Sequence, residues 1–407
     1  MKSNKYIFFI QVILFFTLIS ISCKTDTDSK SSPVIEISPH FSDNSFIFED
    51  VFQSVDIIPL ETNSECLIGG ITKLVEANDS YYILDGVNNI VAKFDREGKF
   101  ITKIGALGNG PGEYLKIEDI IVDKDSQTIK LYDIRGRKII IYDFDGSYIR
   151  EFRLHLFLKS IANAENGYFW GFIGNTTNSR EIQSKKTGEL KFIKFDEKGK
   201  IVDKIFGREH SEIHLPFFEH MSPQKDGSIS FVEPLQNQIF KLKNNEISSH
   251  YKIKFNSCSV PKEIRNILNQ NRTPLTTKQK NTFSEANRNY ILGFIQFYEN
   301  NNWIILQYSV KYRFQFAFYH KPTGKLFESS GLPWSTTTAN LFFTPSYIDD
   351  KFIYSNTSSF YLYERYKEEQ DDNKIEEKRI NSWNILLKDI KINDNPIIFK
   401  YKLQKGI

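Results

Sequence analysis

A unit of about fifty residues recurs along this chain, and it limits the possible fold more than any other feature. The clearest copy contains the strand-like segments 82–85, 90–95 and 99–104, with a glycine turn between the last two. The end of this turn falls at positions 98, 146, 199 and 246, at spacings of 48, 53 and 47 residues. A repeat of this length is typical of a β-propeller blade, a four-stranded sheet that stacks on its neighbours around an axis.

The number of copies predicts an all-β fold, a six-bladed β-propeller of four-stranded antiparallel blades. Further copies span 129–152, 168–205 and 228–246, and looser ones pair 303–306 with 314–319 and 351–354 with 360–363. The 35 Phe and 20 Tyr residues also favour strands. Segments 46–51, 54–58 and 396–402 remain after this count, and we expect them to complete one shared blade and close the ring.

Two segments interrupt the repeat. Within segment 261–298 the sequence predicts helices at 261–268 and 284–297, and 381–390 is predicted to be a short helix. Insertions of this kind usually lie over one face of a propeller, which is often the binding face. The first insertion is therefore interpreted either as a lid or as a packing element.

The N-terminus has the pattern of a secretory signal. Lys2 and Lys5 precede an apolar run at 7–19, which is too short to span a bilayer comfortably. Small residues then lead into Cys23, in a pattern that resembles the lipobox of bacterial lipoproteins. This predicts a signal peptide at 1–22, an acylated Cys23 with a tether and lead-in at 23–45, and the propeller at 46–407. The alternative is an ordinary cleaved signal with an incidental cysteine.

The tether predicts a location in the cell envelope. Residues 24–32 include no apolar side chain, so this stretch should stay flexible. Asp26 and Asp28 resemble the acidic signal that sends some lipoproteins to the outer face of the outer membrane. We expect a lipid-anchored outer-membrane protein on the periplasmic or the cell-surface side.

Charge and cysteine content exclude some classes of partner and scaffold. The net charge of +3 comes from 53 basic and 50 acidic residues that are mixed along the chain, which argues against nucleic acid as a partner. Beyond Cys23 there are only Cys66 and Cys258, so there is no disulfide framework. We expect a monomeric propeller.

The motifs resemble those of one family. The first repeat has the form Tyr-Ile-Leu-Asp…Phe-Asp-x-x-Gly-Lys-Phe, and the run Gly-Asn-Gly-Pro-Gly-Glu-Tyr follows at 108–114. With the opening segment 50–62 and the closing segment 394–401, the chain resembles six-bladed lipoproteins of certain Gram-negative bacteria with NHL-like repeats. The resemblance implies a fold and a location. Members largely lack an assigned activity, so it implies no catalytic residues.

The glycine-rich run has a binding interpretation and a structural one. Four glycines, Gly105, Gly108, Gly110 and Gly112, suggest a phosphate-cradling loop, but the spacing matches neither the dinucleotide fingerprint nor the P-loop. The spacing instead predicts a connection between blades that needs positive φ angles. Glu113 and Tyr114 at its end are possible ligand-binding residues.

Two clusters are weak candidates for metal ligands. His210 and His214 are four residues apart, as zinc ligands on one helix face would be, but Pro216 favours a solvated loop. Glu118 and Asp119 are the carboxylates that a calcium in the axial channel would need, although inter-blade hydrogen bonds explain them more simply. The expected cofactor is none, with calcium or zinc as the alternative.

The sequence favours binding over catalysis. No Ser/His/Asp or Cys/His arrangement is recognisable by spacing. Trp334 lies among hydroxyl residues and is either a platform for a sugar ring or part of the inter-blade core. The leading interpretation is a non-enzymatic module that binds or scaffolds a protein, peptide or glycan at the cell envelope. The alternatives are a metal-dependent propeller hydrolase or lyase, and a purely structural part of an envelope complex.

Overall fold

The computed structural model describes residues 32–39, 48–174, 190–206, 220–268, 276–330, 344–371, 388, 390–404 and 407. The chain divides into Met1–Pro33 and a compact unit, Val34–Ile407. That unit consists mainly of six small antiparallel sheets arranged as a six-bladed propeller, as the repeat predicts.

Each blade has four strands, called a to d from the axis outwards. Blades 1 and 2 consist of β3 (Ile71–Ala77), β4 (Ser80–Asp85), β5 (Ile90–Asp95) and β6 (Phe100–Lys103), then β9 (Ile117–Asp123), β10 (Thr128–Asp133), β11 (Lys138–Asp143) and β12 (Tyr148–Arg153). Blades 3 and 4 consist of β13 (Ser160–Asn163), β14 (Phe169–Phe172), β15 (Leu190–Phe195) and β16 (Ile201–Phe206), then β17 (His220–Pro223), β18 (Ile229–Val232), β19 (Gln238–Lys243) and β20 (Glu246–Phe255). Blades 5 and 6 consist of β21 (Phe294–Glu299), β22 (Trp303–Val310), β23 (Arg313–His320) and β24 (Lys325–Ser330), then β25 (Pro345–Ile348), β26 (Phe352–Thr357), β27 (Ile397–Leu403) and β2 (Phe52–Pro59).

The two ends of the propeller share blade 6. Strand β2 pairs antiparallel with β27, from Phe52 opposite Leu403 to Pro59 opposite Ile397. The prediction that the N-terminal and C-terminal strands close the ring is therefore confirmed. Closure gives every blade a neighbour on both faces, which covers sheet surfaces that would otherwise be exposed.

The antiparallel blades give the ring two distinct faces. On the connection face, each d strand leads to the next a strand, and the b–c turns lie there too. On the mouth face lie the a–b and c–d turns. The a strands of neighbouring blades contact one another, for example β17 with β21 and β9 with β13, so they surround the axis.

The repeated motif Phe-Asp-x-x-Gly, with Tyr142 in place of Phe in blade 2, forms the c–d turn. The Asp95 carboxylate accepts backbone hydrogen bonds from Glu97 (3.0 Å) and Lys99 (2.8 Å), and Asp143 and Asp196 do the same in their blades. Gly98 has a φ of 85°, and a Cβ there would lie 2.3 Å from the carbonyl oxygen of Pro59. Glycine is needed because the turn presses against the neighbouring blade.

The segment 360–363, predicted to be a strand of the last blade, is helical, so that prediction is wrong. It lies in α3 (Ser359–Asp371), which connects β26 to β27. The aromatic residues suggested a strand, but Leu362 is fully buried, and Tyr363 and Tyr366 pack against the same core cluster. Residues three to four apart share one helix face, so the spacing matches an amphipathic helix.

The first insertion is helical only in its first part. It forms α1 (Lys262–Leu268) and α2 (Thr277–Asn289), whereas 294–299 is β21, the inner strand of blade 5. The prediction of a helix at 284–297 is wrong after residue 289, because Phe294 and Phe297 join the core between blades 4 and 5. The helices pack on the connection face through a small core that includes Leu235. The predicted helix at 381–390 lies almost wholly outside the described residues.

Blade 4 has a fifth strand. Strand β1 (Val34–Ile37) pairs parallel with β20, within the segment 23–45 interpreted as a tether and lead-in. Ile35 and Ile37 are buried, and Val34 and Glu36 are exposed. This alternation is the pattern of a half-buried strand, but four residues are too few to identify one from sequence. The remaining short elements are β7 (Ala106–Leu107), β8 (Glu113–Tyr114) and the 3-10 turns Phe48–Asp50 and Glu165–Gly167.

Candidate functional site

A cavity of about 1650 Å³ opens on the mouth face and runs along the axis. All six a strands and their a–b turns line it, so it belongs to the ring as a whole. Polar side chains predominate where each a strand reaches this face: Glu76, Asp123, Asn163, Ser222, Glu299 and Asp349.

The a–b turns place an acidic side chain around this mouth in five of the six blades. They are Asp79, Asp125, Glu165, Asp226 and Asp350, and the turn of blade 5 has Asn301 instead. The sequence analysis aligned the repeats on their c–d turns and did not detect this ring. The acidic residues lie one to four positions before strand b, so no fixed spacing in the repeat reveals them.

Lysines neutralise much of this acidic ring. Lys225 of blade 4 forms an ion pair with Asp350 of blade 6, and Lys194 Nζ lies 2.6 Å from Glu165 Oε1. Lys243 pairs with Asp226 at 2.9 Å. The mouth therefore presents both signs of charge around one opening.

Two carboxylates of strand β9 tie the inner strands together. Asp119 accepts hydrogen bonds from Lys73 Nζ at 2.6 Å and from the backbone of Ile161 at 2.8 Å, which links blades 1, 2 and 3. Asp123 accepts from Lys130 Nζ at 2.6 Å and from Asn163 Nδ2 at 3.0 Å. Burial raises the pKa of Asp123, but hydrogen bonds from Lys130 and Ser126 outweigh that effect and lower it to about 2.

The predicted metal ligands do not converge in the part of the chain that the structure describes. Asp119 is bonded to its neighbours, whereas the Glu118 side chain is open to solvent inside the channel. The surrounding channel walls partly desolvate the Glu118 carboxyl, which raises its pKa. Within the described residues, no three His, Cys, Asp or Glu side chains are grouped as a metal ion requires. His210 and His214 lie outside the described residues.

The glycine-rich run connects blade 1 to blade 2, as predicted. Gly105 and Gly112 have positive φ angles of 70° and 72°. Glu113 turns back into the loop, where its Oε2 accepts the amide of Gly110 at 2.8 Å. Tyr114 is only 1% exposed and packs in the core between the two blades. Both candidate ligand-binding residues thus have structural contacts: Glu113 bonds its own loop, and Tyr114 packs in the core between the blades. Trp334 and Cys23 lie outside the described residues.

Glu299, at the mouth end of β21, is held by a histidine and a lysine. It is 4% exposed, and its Oε1 lies 2.9 Å from His250 Nε2 and 2.8 Å from Lys321 Nζ. Burial raises the pKa of the Glu299 carboxyl, but His250 and Lys321 outweigh burial and lower it to about 2.

The lowered pKa of Glu299 predicts acid sensitivity. Because the folded pKa lies below the ordinary value of about 4.3, this group stabilises the fold above that pH and loses its contribution as pH falls towards 2. We expect Glu299→Gln to lower the free energy of unfolding by roughly 2 kcal/mol at pH 7 and by much less near pH 3. Urea unfolding of both proteins at the two pH values measures this. A gap that stays constant between them would contradict the assignment.

In the described part of the chain, no helix is both long and apolar enough to span a bilayer.

A solved structure of another protein agrees with this architecture. A crystal structure of a putative exported protein from Bacteroides fragilis is similar in fold, with a TM-score of 0.69 and 19% identity over 91% of this chain and 100% of that one. A member of the duf4221 family from Bacteroides vulgatus aligns over 90% of this chain and 100% of its own, at 11% identity and a TM-score of 0.47. No curated protein is significantly similar in sequence. The sequence profile of a domain of unknown function, DUF4934, matches residues 32–402, and the chain therefore belongs to the DUF4934 family.

Proposed function

We propose that this chain is an exported binding protein of the cell envelope, with NHL-like repeats and a lipid anchor at Cys23, that holds a charged peptide segment in the mouth cavity. The observation that carries the proposal is the axial cavity, to which every blade contributes an inner strand. The similar Bacteroides fragilis protein is described as exported, which supports the location.

The size of the cavity favours a segment of polymer over a small metabolite. Pockets for small molecules usually measure about 300–1000 Å³. The mouth cavity is larger, at about 1650 Å³, and is open to solvent. A peptide that enters along the axis would contact several a–b turns at once, so its affinity would come from many weak polar contacts.

The chemistry of the mouth favours a peptide over a glycan. Lys124, Lys225 and the acidic turns surround one opening, so a segment with both signs of charge finds partners there. Among the described residues, the aromatic side chains that line the cavity are buried or half-buried. Lys194 Nζ lies 5.2 Å from the centre of the Tyr168 ring, and Lys400 Nζ lies 4.4 Å from that of Phe352, so a cation already covers two of these rings and leaves them poorly suited to stack on a sugar.

Selection from a library of random twelve-residue peptides tests the proposal, with a glycan array run in parallel on the same soluble 24–407 protein. We expect peptides with basic residues to bind. The double variant Asp79→Lys/Asp125→Lys reverses two exposed charges of the mouth, and it should weaken binding by roughly tenfold, which corresponds to about 1.4 kcal/mol.

The matched control is Asp145→Lys. Asp145 lies on a c–d turn of the same face, is 91% exposed in its side chain and does not line the cavity. This variant should bind within about twofold of the parent, since a single distant rim charge has little effect. Peptide affinity that is unchanged in the double variant, or binding of glycans alone, would refute the proposal.

A further inference from the structure

The exposed apolar side chains are concentrated on the connection face. Of the thirteen large hydrophobic residues that are exposed in the described part of the chain, eight lie in d–a connections, in b–c connections or at their ends, and five lie on outermost strands. Four of those five, Ile101, Tyr148, Ile149 and Val202, are the first or second residue of their strand and so lie next to a c–d turn. The eight are Leu67, Val87, Leu107, Leu115, Tyr312, Phe314, Phe360 and Tyr361. Exposed apolar groups that cluster in this way mark interaction surfaces.

Three of these residues and their neighbours form one continuous surface over blades 1 and 2. Val87 is 72% exposed, Leu67 57% and Leu115 39%. The Asn88 side chain donates to the carbonyl of Leu67 at 3.0 Å, and the Asn89 side chain donates to the carbonyl of Leu115 at 3.0 Å. The b–c turn of blade 1 is therefore bonded to the loop on each side of it. We call Leu67, Val87, Leu115 and Arg135 the connection-face patch.

A buried aspartate holds each half of this patch rigid. Asp85 is fully buried and accepts the amides of Gly69 (2.7 Å), Gly70 (3.1 Å), Val87 (2.9 Å) and Asn88 (3.1 Å). It thereby joins the loop that carries Leu67 to the turn that carries Val87.

Asp133 does the same in blade 2. It is fully buried and accepts the amides of Leu115 (2.9 Å), Lys116 (3.0 Å) and Gly136 (2.8 Å), which joins Leu115 to the turn that carries Arg135. A surface whose backbone is already ordered loses little conformational entropy on binding. Leu67, Val87 and Leu115 are therefore exposed on loops whose backbone is already fixed before a partner binds.

The charged residues around the connection-face patch indicate the chemistry of the partner's surface. Arg135 and Arg137 are both exposed on the turn of blade 2, so that end of the patch is basic, whereas the single carboxylate of Glu65 lies at the other end, beside Leu67. We propose that the connection-face patch is a docking site for a partner protein that presents apolar side chains flanked by carboxylates. This goes beyond the peptide site, which lies on the opposite face.

A membrane surface fits this patch less well than a protein does. Side chains that insert at the membrane–water interface are enriched in Trp and Tyr. The patch presents only aliphatic side chains and arginine, on loops that are held by hydrogen bonds rather than on an amphipathic helix.

In-cell photocrosslinking tests the proposal on the full chain. A benzoylphenylalanine in place of Val87 should yield a crosslinked protein, whereas the same residue in place of Val202, which is 44% exposed on an outer strand, should not. Mass spectrometry of the adduct should identify a contact peptide that contains both Asp or Glu and large apolar residues.

Charge reversal provides the second measurement. Arg135→Glu should lower the yield of the Val87 crosslink by roughly tenfold. Arg96→Glu, on a c–d turn of the opposite face, should leave the yield unchanged. An adduct with lipid, an adduct with a second copy of this chain, equal yields at both positions, or a yield insensitive to Arg135→Glu would each overturn the proposal.

Discussion

A chain that begins at Leu60 is expected not to form a closed propeller. It lacks β2, which pairs with β27 from Phe52 to Pro59, so blade 6 loses its outer strand. Phe52 and Tyr401 are almost fully buried in the shared core cluster. Each large side chain that loses its burial costs about 1.5–3 kcal/mol, so several such losses are comparable to the whole stability of a domain.

A chain that begins at Phe48 is the matched control. It lacks β1, whose buried side chains are Ile35 and Ile37, but retains the closing strand. We expect it to stay folded, with a lower urea midpoint than the parent. Circular dichroism and urea unfolding of the two truncated chains distinguish the roles of β1 and β2. If the Leu60 chain unfolds cooperatively at the same midpoint as the Phe48 chain, closure does not stabilise the ring.

Asp85→Ala is expected to cost about 3–5 kcal/mol of unfolding free energy. The carboxylate is fully buried and accepts four backbone amides, from Gly69, Gly70, Val87 and Asn88. Removing it leaves several donors without their acceptor in a partly buried loop. Each such loss costs about 1–3 kcal/mol, and water that enters the gap recovers part of it.

Asp95→Ala is the control for Asp85→Ala. Asp95 also accepts two backbone amides, from Glu97 and Lys99, but it does so in a surface turn that water can reach. We expect a loss of about 1 kcal/mol or less. Urea unfolding of both variants gives the comparison. Equal losses would show that the burial of the Asp85 carboxylate contributes little.

Much of the fold was predictable from the sequence because the repeat is local. The Phe-Asp-x-x-Gly motif encodes its own turn through the Asp95 carboxylate and the positive φ of Gly98. The prediction of closure followed from two strand-like ends left over from the count. Segment 360–363 was misassigned because aromatic residues favour strands, while the burial of Leu362 on a helix depends on the core of blade 6.

The candidate site was less predictable because it is built from residues far apart in the chain. The mouth cavity combines one short turn from each blade, and only ring closure brings Asp79, Asp226 and Asp350 around one opening. Glu113 and Tyr114 were selected from a conspicuous glycine-rich run. The structure shows that this run connects blades, with the Tyr114 ring buried in their core.

Local sequence patterns are enough to predict the repeat, the strands within it, the c–d turns and the ends that meet in blade 6, because these depend on backbone preferences and hydrophobic periodicity over a few residues. The assembled ring, in contrast, is needed to know which polar side chains face the axis, which of them link neighbouring blades and which face is apolar. Those outcomes depend on contacts between residues such as Lys73 and Asp119, which are 46 positions apart in the chain. Short-range patterns carry no information about such pairs.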